Sequence, residues 1–356
     1  MTWVITFVGF AALIILHELG HFTAAKMVGM RVERFALFFP PLIAKIRRGE
    51  TEYGIGAIPL GGYVKISGMN PAEELPPDVA KRAYYNQPVW KRVFVIGAGP
   101  AVNIVLAFVI MWAVFMHLGV AGGPPRVAVV EKGRPAAAVL QPGDQIVAVD
   151  GRKPAGDVDK QMLAIGNAIA AHNGTPVSLT IRRDGVTKTV SATPFHDTKL
   201  KPAKWRIGFS QDATVRDATA ITASGAAFSQ MWDTTSGTVS KIAQIFKPEE
   251  RKQLGSVVGG YEVTRQAFSL STSYALMLLA IISLSLGIVN LFPFLPLDGG
   301  HIFWALAEKV RGRAIPFSVM ERAGFIGFAL VIGLFMIGFT NDLGRITGDG
   351  FGLPTK

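Results

Sequence analysis

The chain contains no cysteine among its 356 residues. This absence excludes disulfide bridges, thiolate zinc fingers, iron–sulfur clusters and cysteine nucleophiles, and it is compatible with any redox compartment. Charge is also scarce: Asp, Glu, Lys and Arg make up 17% of the residues, against about 25% in a typical soluble domain. Apolar residues reach 50% and the mean hydropathy is +0.36. These values exclude an ordinary soluble globular protein, a disordered chain and a collagen-like chain.

Charged residues are scarcest in four long stretches of the chain, of which the last three contain none and the first contains only Glu18 and Lys26. Each stretch approaches or exceeds the roughly 20 residues that a helix needs to cross a bilayer, so the sequence predicts four membrane spans, the last of them the shortest. The predicted spans are residues 4–28, 93–120, 266–297 and 323–340. The first span is not expected to be a cleaved signal peptide, because no positive charge precedes it and no small-residue cleavage site follows it.

Basic residues concentrate in the two loops that join spans one and two and spans three and four. Lys and Arg mark the cytoplasmic side of a membrane protein. Both termini and the long middle region are therefore expected on the extracytoplasmic side. The net charge of +11 is interpreted as this orientation signal, and no nucleic acid is expected as a partner.

The middle region, residues 125–196, has the pattern of a small α+β domain. Apolar residues alternate in the runs that predict strands and recur at helical spacing in the runs that predict helices. The predicted strands are 126–131, 145–150, 177–183 and 187–193, and the predicted helices are 135–140 and 157–172. The run RPAAAVLQPGDQIVAVDG at 134–151 resembles a PDZ domain of the kind found in bacterial proteases.

This pattern divides the chain into four parts. Residues 1–124 and 266–356 are expected to form the two halves of a membrane core, with the PDZ-like domain 125–196 and a connecting segment 197–265 between them. Within residues 221–246, apolar side chains fall on one helical face. The amphipathic helix predicted there either lies in the membrane interface or packs on the neighbouring domain.

The first predicted span carries the pattern His17-Glu18-Leu19-Gly20-His21. Residues i and i+4 lie on one face of a helix, so His17 and His21 can bind one Zn²⁺ ion together. Glu18 can then reach a water molecule on the metal and act as its general base. Ionisable residues inside a span are energetically costly and indicate a functional site. The alternative is a hydrogen-bonded polar cluster that holds helices together.

A catalytic zinc site usually has three protein ligands, and Asp298 is the candidate for the third. It ends the run NLFPFLPLD, in which two prolines must break or kink the helix, and broken helix at membrane depth is tolerated where it lines a cavity. The predicted orientation places His17, His21 and Asp298 at a similar depth, near the cytoplasmic side. His301 is an alternative, either as a direct ligand or as a residue that supports one.

Four motifs together resemble the site-2 protease family of intramembrane zinc metalloproteases, in its bacterial PDZ-containing branch that regulates sigma-factor signalling. HELGH and NLFPFLPLDGGH are similar to the family's two zinc motifs, GAGPAVN to a block in span two, and TEYGIGAIPLGGYVKISG to its membrane-dipping hairpin. The resemblance covers nearly the whole chain. It implies that His17, His21 and Asp298 bind zinc. It also implies that Glu18 is the catalytic acid/base and that Asn290 helps to hold the substrate. The single PDZ-like domain departs from members that have two.

The hairpin segment is rich in glycine, which permits tight turns and close backbone approach. A peptide bond inside a helix must become extended before water can attack it, and an exposed strand edge can pair with an unwound substrate. Gly54 and Gly56 are therefore predicted to bind substrate, with an ordinary cytoplasmic hairpin as the alternative. Gly99, in the GAGPAVN block, is expected to serve close helix packing, as small residues do in membranes.

The expected fold is thus a polytopic α-helical membrane protein with four transmembrane helices, a membrane-dipping β-hairpin and an inserted α+β PDZ-like domain. The expected function is that of a zinc-dependent intramembrane endopeptidase in the bacterial inner membrane. Its expected substrates are single-span membrane proteins, of the anti-sigma factor or remnant signal peptide type, that a site-1 protease has already shortened. The PDZ-like domain then either filters substrates by size or docks a new C-terminus.

Two alternative functions fit the sequence less well. A membrane protein that binds or transports metal needs further ligands along its path, but spans two and four offer only Asn103 and His117. A non-catalytic scaffold that presents a PDZ-like module has no evident need for Glu18.

Overall fold

The computed structural model describes residues 1–70, 72–156, 158–198, 203–245, 247–251, 254–348 and 350–351. The chain divides into two units. The first combines Met1–Val114 with the chain from Ser224 onward, and the second is Phe115–Ala223, inserted between them in the sequence.

Four described helices are long and apolar enough to span a membrane, as the sequence predicts. They are α1 (Thr2–Met27), α3 (Val89–Leu118), α8 (Thr272–Asn290) and α10 (Phe317–Thr347). The prediction that the last span is the shortest is wrong, because α10 has 31 residues and α8 has 19. Helix α10 extends beyond the charge-free stretch at both ends, through Glu321, Arg322, Asp342 and Arg345.

The third predicted span, residues 266–297, is not one helix. Helix α7 (Val257–Leu270) ends at Ser271, where the backbone is extended with φ −160° and ψ 133°. Helix α8 begins directly after it and ends at Asn290. The stretch is free of charged residues across both boundaries, so the absence of charge alone predicts a longer span than the backbone forms.

A non-helical segment, 291–297, leads from α8 into α9 (Asp298–Arg311). Helix α9 ends at Gly312, which has the left-handed conformation (φ 71°) that favours glycine. The remaining helices are α2 (Pro77–Ala80), α4 (Val158–Ala171), α5 (Ala220–Ala243) and α6 (Pro248–Arg251). Helix α5 corresponds to the helix predicted at 221–246, of which Phe246 lies outside the described residues.

Strands β1 (Val32–Arg48) and β2 (Thr51–Ile66) pair with each other over the glycine-rich stretch. Both strands are bent, so each contributes two segments to the pairing. Across the pairing, the four segments follow the order 42–48, 51–56, 32–37 and 62–66. Within the described residues, 62–66 (the edge segment) has a strand neighbour on one side, whereas Gly54 is paired on both sides. Insertion of this hairpin into the membrane stays a prediction.

The second unit is built on a five-stranded sheet with the strand order β6-β5-β4-β3-β9. Its strands are β3 (Val120–Val130), β4 (Gln145–Val149), β5 (Val177–Arg183), β6 (Val186–Ala192) and β9 (Phe209–Arg216), and β7 (Phe195–Asp197) pairs separately with β8 (Lys204–Arg206). Helix α4 packs against this sheet and corresponds to the predicted helix 157–172, of which Asp157 lies outside the described residues.

Strand β9 extends the sheet beyond residue 196, the predicted end of the PDZ-like domain. It pairs antiparallel with β3 along its whole length. Its sequence, FSQDATVR, has weak alternation of apolar and polar residues, so the period-two pattern that reveals the other strands is faint here. The core between the sheet and α4 consists of buried aliphatic side chains, including Val127, Ile146, Ile165, Leu179 and Ile181.

Candidate metal centre

The HELGH pattern lies within α1, which continues to Met27. An α-helix has 3.6 residues per turn, so side chains four positions apart lie one above the other. His17 and His21 are both buried, and their Nε2 atoms lie 3.2 Å apart. The two imidazole rings therefore direct one nitrogen each towards a common point.

Asp298, the first residue of α9, brings a carboxylate to the same point. Its Oδ2 atom lies 3.2 Å from Nε2 of His17 and 3.3 Å from Nε2 of His21, so the three atoms form a nearly equilateral triangle. Tetrahedral zinc, with ligand distances of about 2.0–2.1 Å, requires ligand–ligand distances of about 3.3 Å. Asp298 Oδ2 is buried and receives no hydrogen bond in the described part of the chain. The size and chemistry of this triangle fit a zinc ion.

Two glycines allow the carboxylate to reach this position. A Cβ atom at Gly299 would collide with the backbone of Leu291, and a Cβ atom at Gly300 would collide with the backbone of Leu295. The segment 291–297 therefore folds tightly against the first turn of α9. This close packing explains why two glycines follow Asp298 in the sequence: a larger residue at either position would collide with the backbone of the segment.

Helix α3 fixes the ring of His21 from the opposite side. The Nδ1 atom of His21 lies 2.9 Å from the backbone carbonyl oxygen of Val95. This contact lets Nδ1 carry the proton and leaves the lone pair of Nε2 for a metal. A Cβ atom at Gly99 would overlap the His21 ring. The predicted close packing at Gly99 is thus packing against a candidate metal ligand. The contribution of Val95 has no sequence signal, because every residue has a carbonyl.

A cavity of about 440 Å³ opens beside the triangle. Glu18 lines this cavity together with His17, His21 and Asp298, so the carboxylate predicted as the general base shares a space with the candidate ligands. Asn290, the last residue of α8, also lines it. All five of these residues therefore line one cavity. Three of them come from α1, one from α9 and one from the end of α8.

The hairpin contributes a different pair of glycines from the predicted ones. Gly61 and Gly62 line the cavity, and a Cβ atom at Gly62 would overlap the side chain of Glu18. Gly54 and Gly56 are not part of the described cavity lining: their Cβ positions face the backbone of β1 instead. His301 is also outside the described group of ligand atoms that lie within 4.8 Å of one another.

The chain is similar in sequence to proteins named as zinc metalloproteases. Residues 5–334 match the family described as peptidase family M50. A Brucella suis protein named a putative zinc metalloprotease is 32% identical over 354 residues, which cover 93% of this chain and 92% of the relative. Zinc metalloprotease Rip1 of Mycobacterium tuberculosis is 31% identical over 386 residues, which cover 92% of this chain and 93% of Rip1.

Among solved structures, the PDZ domain of an SdrC-like protein from Listeria monocytogenes matches with 21% sequence identity and a TM-score of 0.22, covering 26% of this chain and 90% of that domain. A TM-score of this size assigns no fold, so the PDZ-like character of residues 125–196 stays a prediction. The family match extends over most of the chain, and relatives above 30% identity align along nearly their whole length. The chain therefore belongs to peptidase family M50, the site-2 protease family, and is a zinc-dependent membrane protease.

Proposed function

We propose that this M50 member is an intramembrane endopeptidase, which hydrolyses a peptide bond within or near the transmembrane segment of single-span membrane proteins. The observation that carries the proposal is the triangle of His17 Nε2, His21 Nε2 and Asp298 Oδ2, with sides of 3.2–3.3 Å. Two of its corners belong to a helix apolar enough to span a membrane. Membership of a peptidase family favours this reading over metal transport and over a scaffold.

In this proposal, His17, His21 and Asp298 hold the zinc ion. When bound, zinc supplies a Lewis acid that polarises a peptide carbonyl and lowers the pKa of water towards about 7. Glu18 takes the proton of the attacking water and delivers it to the leaving amine. The position of Glu18 in the cavity that the three ligands line supports this role.

The substrate reaches the site as an extended strand beside the edge segment 62–66. Gly62, Val64 and Ile66 of this segment line the cavity, and β-strand addition to an exposed edge is a common way to bind an extended peptide. Asn290 holds the backbone of that peptide through its side-chain amide. Gly54 and Gly56 contribute indirectly, because they let β2 approach the backbone of β1 closely.

The substrates belong to the anti-sigma factor or remnant signal peptide type, and a site-1 protease shortens them first. The protein lies in the bacterial inner membrane, with the cleavage site near the cytoplasmic face and the PDZ-like domain outside. The basic residues of the first and third loops support this orientation, and the family supports the substrate class.

The test uses the purified full chain in liposomes with a model single-span substrate that has a short outer segment. Wild type and Glu74→Gln, which changes an exposed carboxylate, are expected to cleave within the span. Glu18→Gln is expected to retain zinc but to leave the substrate intact, as judged by gel, mass spectrometry and metal analysis. Cleavage by Glu18→Gln at the wild-type rate would refute the proposed mechanism.

A further inference from the structure

A partly buried ion pair joins helix α3 to helix α9. The two terminal nitrogens of Arg92 donate to the two carboxylate oxygens of Glu308 over 3.0 and 2.8 Å. The Arg92 side chain is 9% exposed and the Glu308 side chain 29%. Two parallel hydrogen bonds between a planar guanidinium and a planar carboxylate fix orientation as well as distance.

Arg92 lies on the helix that contacts one candidate zinc ligand, and Glu308 lies on the helix that carries another. Arg92 lies one helical turn before Val95, whose carbonyl contacts His21. Glu308 lies ten residues after Asp298 on α9, which is about 15 Å along a helix. The same face of α3 thus makes two contacts. It contacts the ring of His21 directly, and through Arg92 it contacts α9, the helix that carries Asp298.

Tyr84 is a buried residue whose pKa is affected both by the ion pair and by Asp298. Burial raises the pKa of the Tyr84 phenol, and the charges of Asp298 and Glu308 raise it further while that of Arg92 lowers it. The charges of the ion pair and of the candidate ligand therefore both affect the pKa of this buried phenol.

Asp298 itself has little that fixes its direction. Its Oδ2 atom receives no hydrogen bond in the described structure, and the residue before it, Leu297, provides no side-chain cap for α9. The direction of the carboxylate is therefore set by the position and rotation of α9. Apart from the contacts that Asp298 itself makes with His17 and His21, Arg92–Glu308 is the ion pair among the described residues that ties α9 to another element.

We propose that Arg92 and Glu308 are positioning residues for the metal centre: their ion pair sets α9 against α3 and thereby places Asp298 at ligand distance from His17 and His21. This inference rests on the ligand assignment of the proposed function. It predicts that loss of the pair weakens metal binding even though neither residue contacts the metal.

The experiment measures Co²⁺ and Zn²⁺ affinity of the full chain in detergent, by the visible spectrum of bound Co²⁺ and by competition with a chelator. Arg92→Lys keeps the positive charge but loses the planar guanidinium group that makes two parallel hydrogen bonds. Glu308→Ala removes the carboxylate that accepts them. Each is expected to weaken metal affinity about 10-fold, the lower end of what residues supporting a metal ligand contribute. The kcat value is expected to fall while KM is unchanged. The reversed pair, Arg92→Glu with Glu308→Arg, is expected to recover part of the affinity, since the two sites are coupled.

A matched control separates positioning from general stability. Asp342 is a buried carboxylate that accepts hydrogen bonds from Ser256 and Gly259 and so ties α10 to the start of α7. Asp342→Asn is expected to lower the Tm without changing metal affinity. The proposal is overturned if Glu308→Ala binds Co²⁺ within about twofold of wild type, or if Asp342→Asn weakens binding equally. His17→Ala tests the ligand assignment separately. If His17 is not a ligand, this variant binds Co²⁺ as tightly as wild type does.

Discussion

A single methyl group at position 99 is expected to disable the enzyme. In Gly99→Ala, the added Cβ atom would lie 2.6 Å from Cε1 and 2.8 Å from Cδ2 of His21, and closer still to Nε2. Ordinary contacts begin near 3.4 Å, so the ring must move by close to 1 Å or α3 must move away from α1. Misplacement of a reacting group by about 1 Å costs roughly 100-fold in rate. We therefore expect kcat/KM to fall about 100-fold, with a weaker affinity for zinc.

The assay compares initial cleavage rates of the full chain with those of a matched variant on the same helix. Gly97→Ala places its Cβ atom 3.9 Å from Ile302, which is an ordinary contact, and it is expected to cleave at the wild-type rate. Metal content and Tm are measured for both variants. If the cleavage rate of Gly99→Ala is within about threefold of that of Gly97→Ala, the close contact between α3 and His21 does not matter for cleavage, and the geometric reasoning fails.

Three further predictions test other parts of the structure. Gly62→Ala is expected to displace the Glu18 side chain, which an added Cβ atom would overlap, and so to lower kcat about 100-fold while zinc content stays at the wild-type level. Arg82 and Lys26 hold the pKa of Glu50 at about 2, below its ordinary value of 4.5. Their stabilisation is therefore present above pH 4.5 and lost as the pH falls towards 2, and Glu50→Gln is expected to flatten the dependence of Tm on pH in that range; an unchanged slope would contradict this. Asp144 accepts two hydrogen bonds from Arg183, and Asp144→Asn is expected to destabilise the second unit by about 3 kcal/mol, measured as faster hydrogen exchange in β4 and β5.

The sequence predicts the membrane helices and points to the candidate ligands because both depend on local patterns. A charge-free stretch is visible in composition, and the spacing of His17 and His21 follows from helix geometry alone. The break at Ser271 is not predictable in the same way, since no charged residue marks it. The start of α9 depends on how Gly299 and Gly300 accommodate the preceding segment, and that is a tertiary contact.

The contacts that support the site cannot be predicted from the sequence, because they join residues that lie far apart along the chain. Arg92 and Glu308 are 216 positions apart, and from the sequence Arg92 is only one of several basic residues that indicate orientation. The role of the hairpin glycines depends on pairing register. Gly54 and Gly62 look equivalent in the sequence, but the register places Gly54 between two neighbours and Gly62 on the edge segment beside Glu18.

The two outer segments of the hairpin differ in how they meet other chains. Segment 42–48 carries Lys45, Arg47 and Arg48, and its residues from 43 onward are exposed. Like charges on an outer strand discourage edge-to-edge pairing and aggregation, so two copies of this protein would repel each other there. Segment 62–66 carries one charge, Lys65, and lies along the cavity. We therefore expect the charged side of the hairpin to resist self-association, and a chain that enters the cavity to meet the other side.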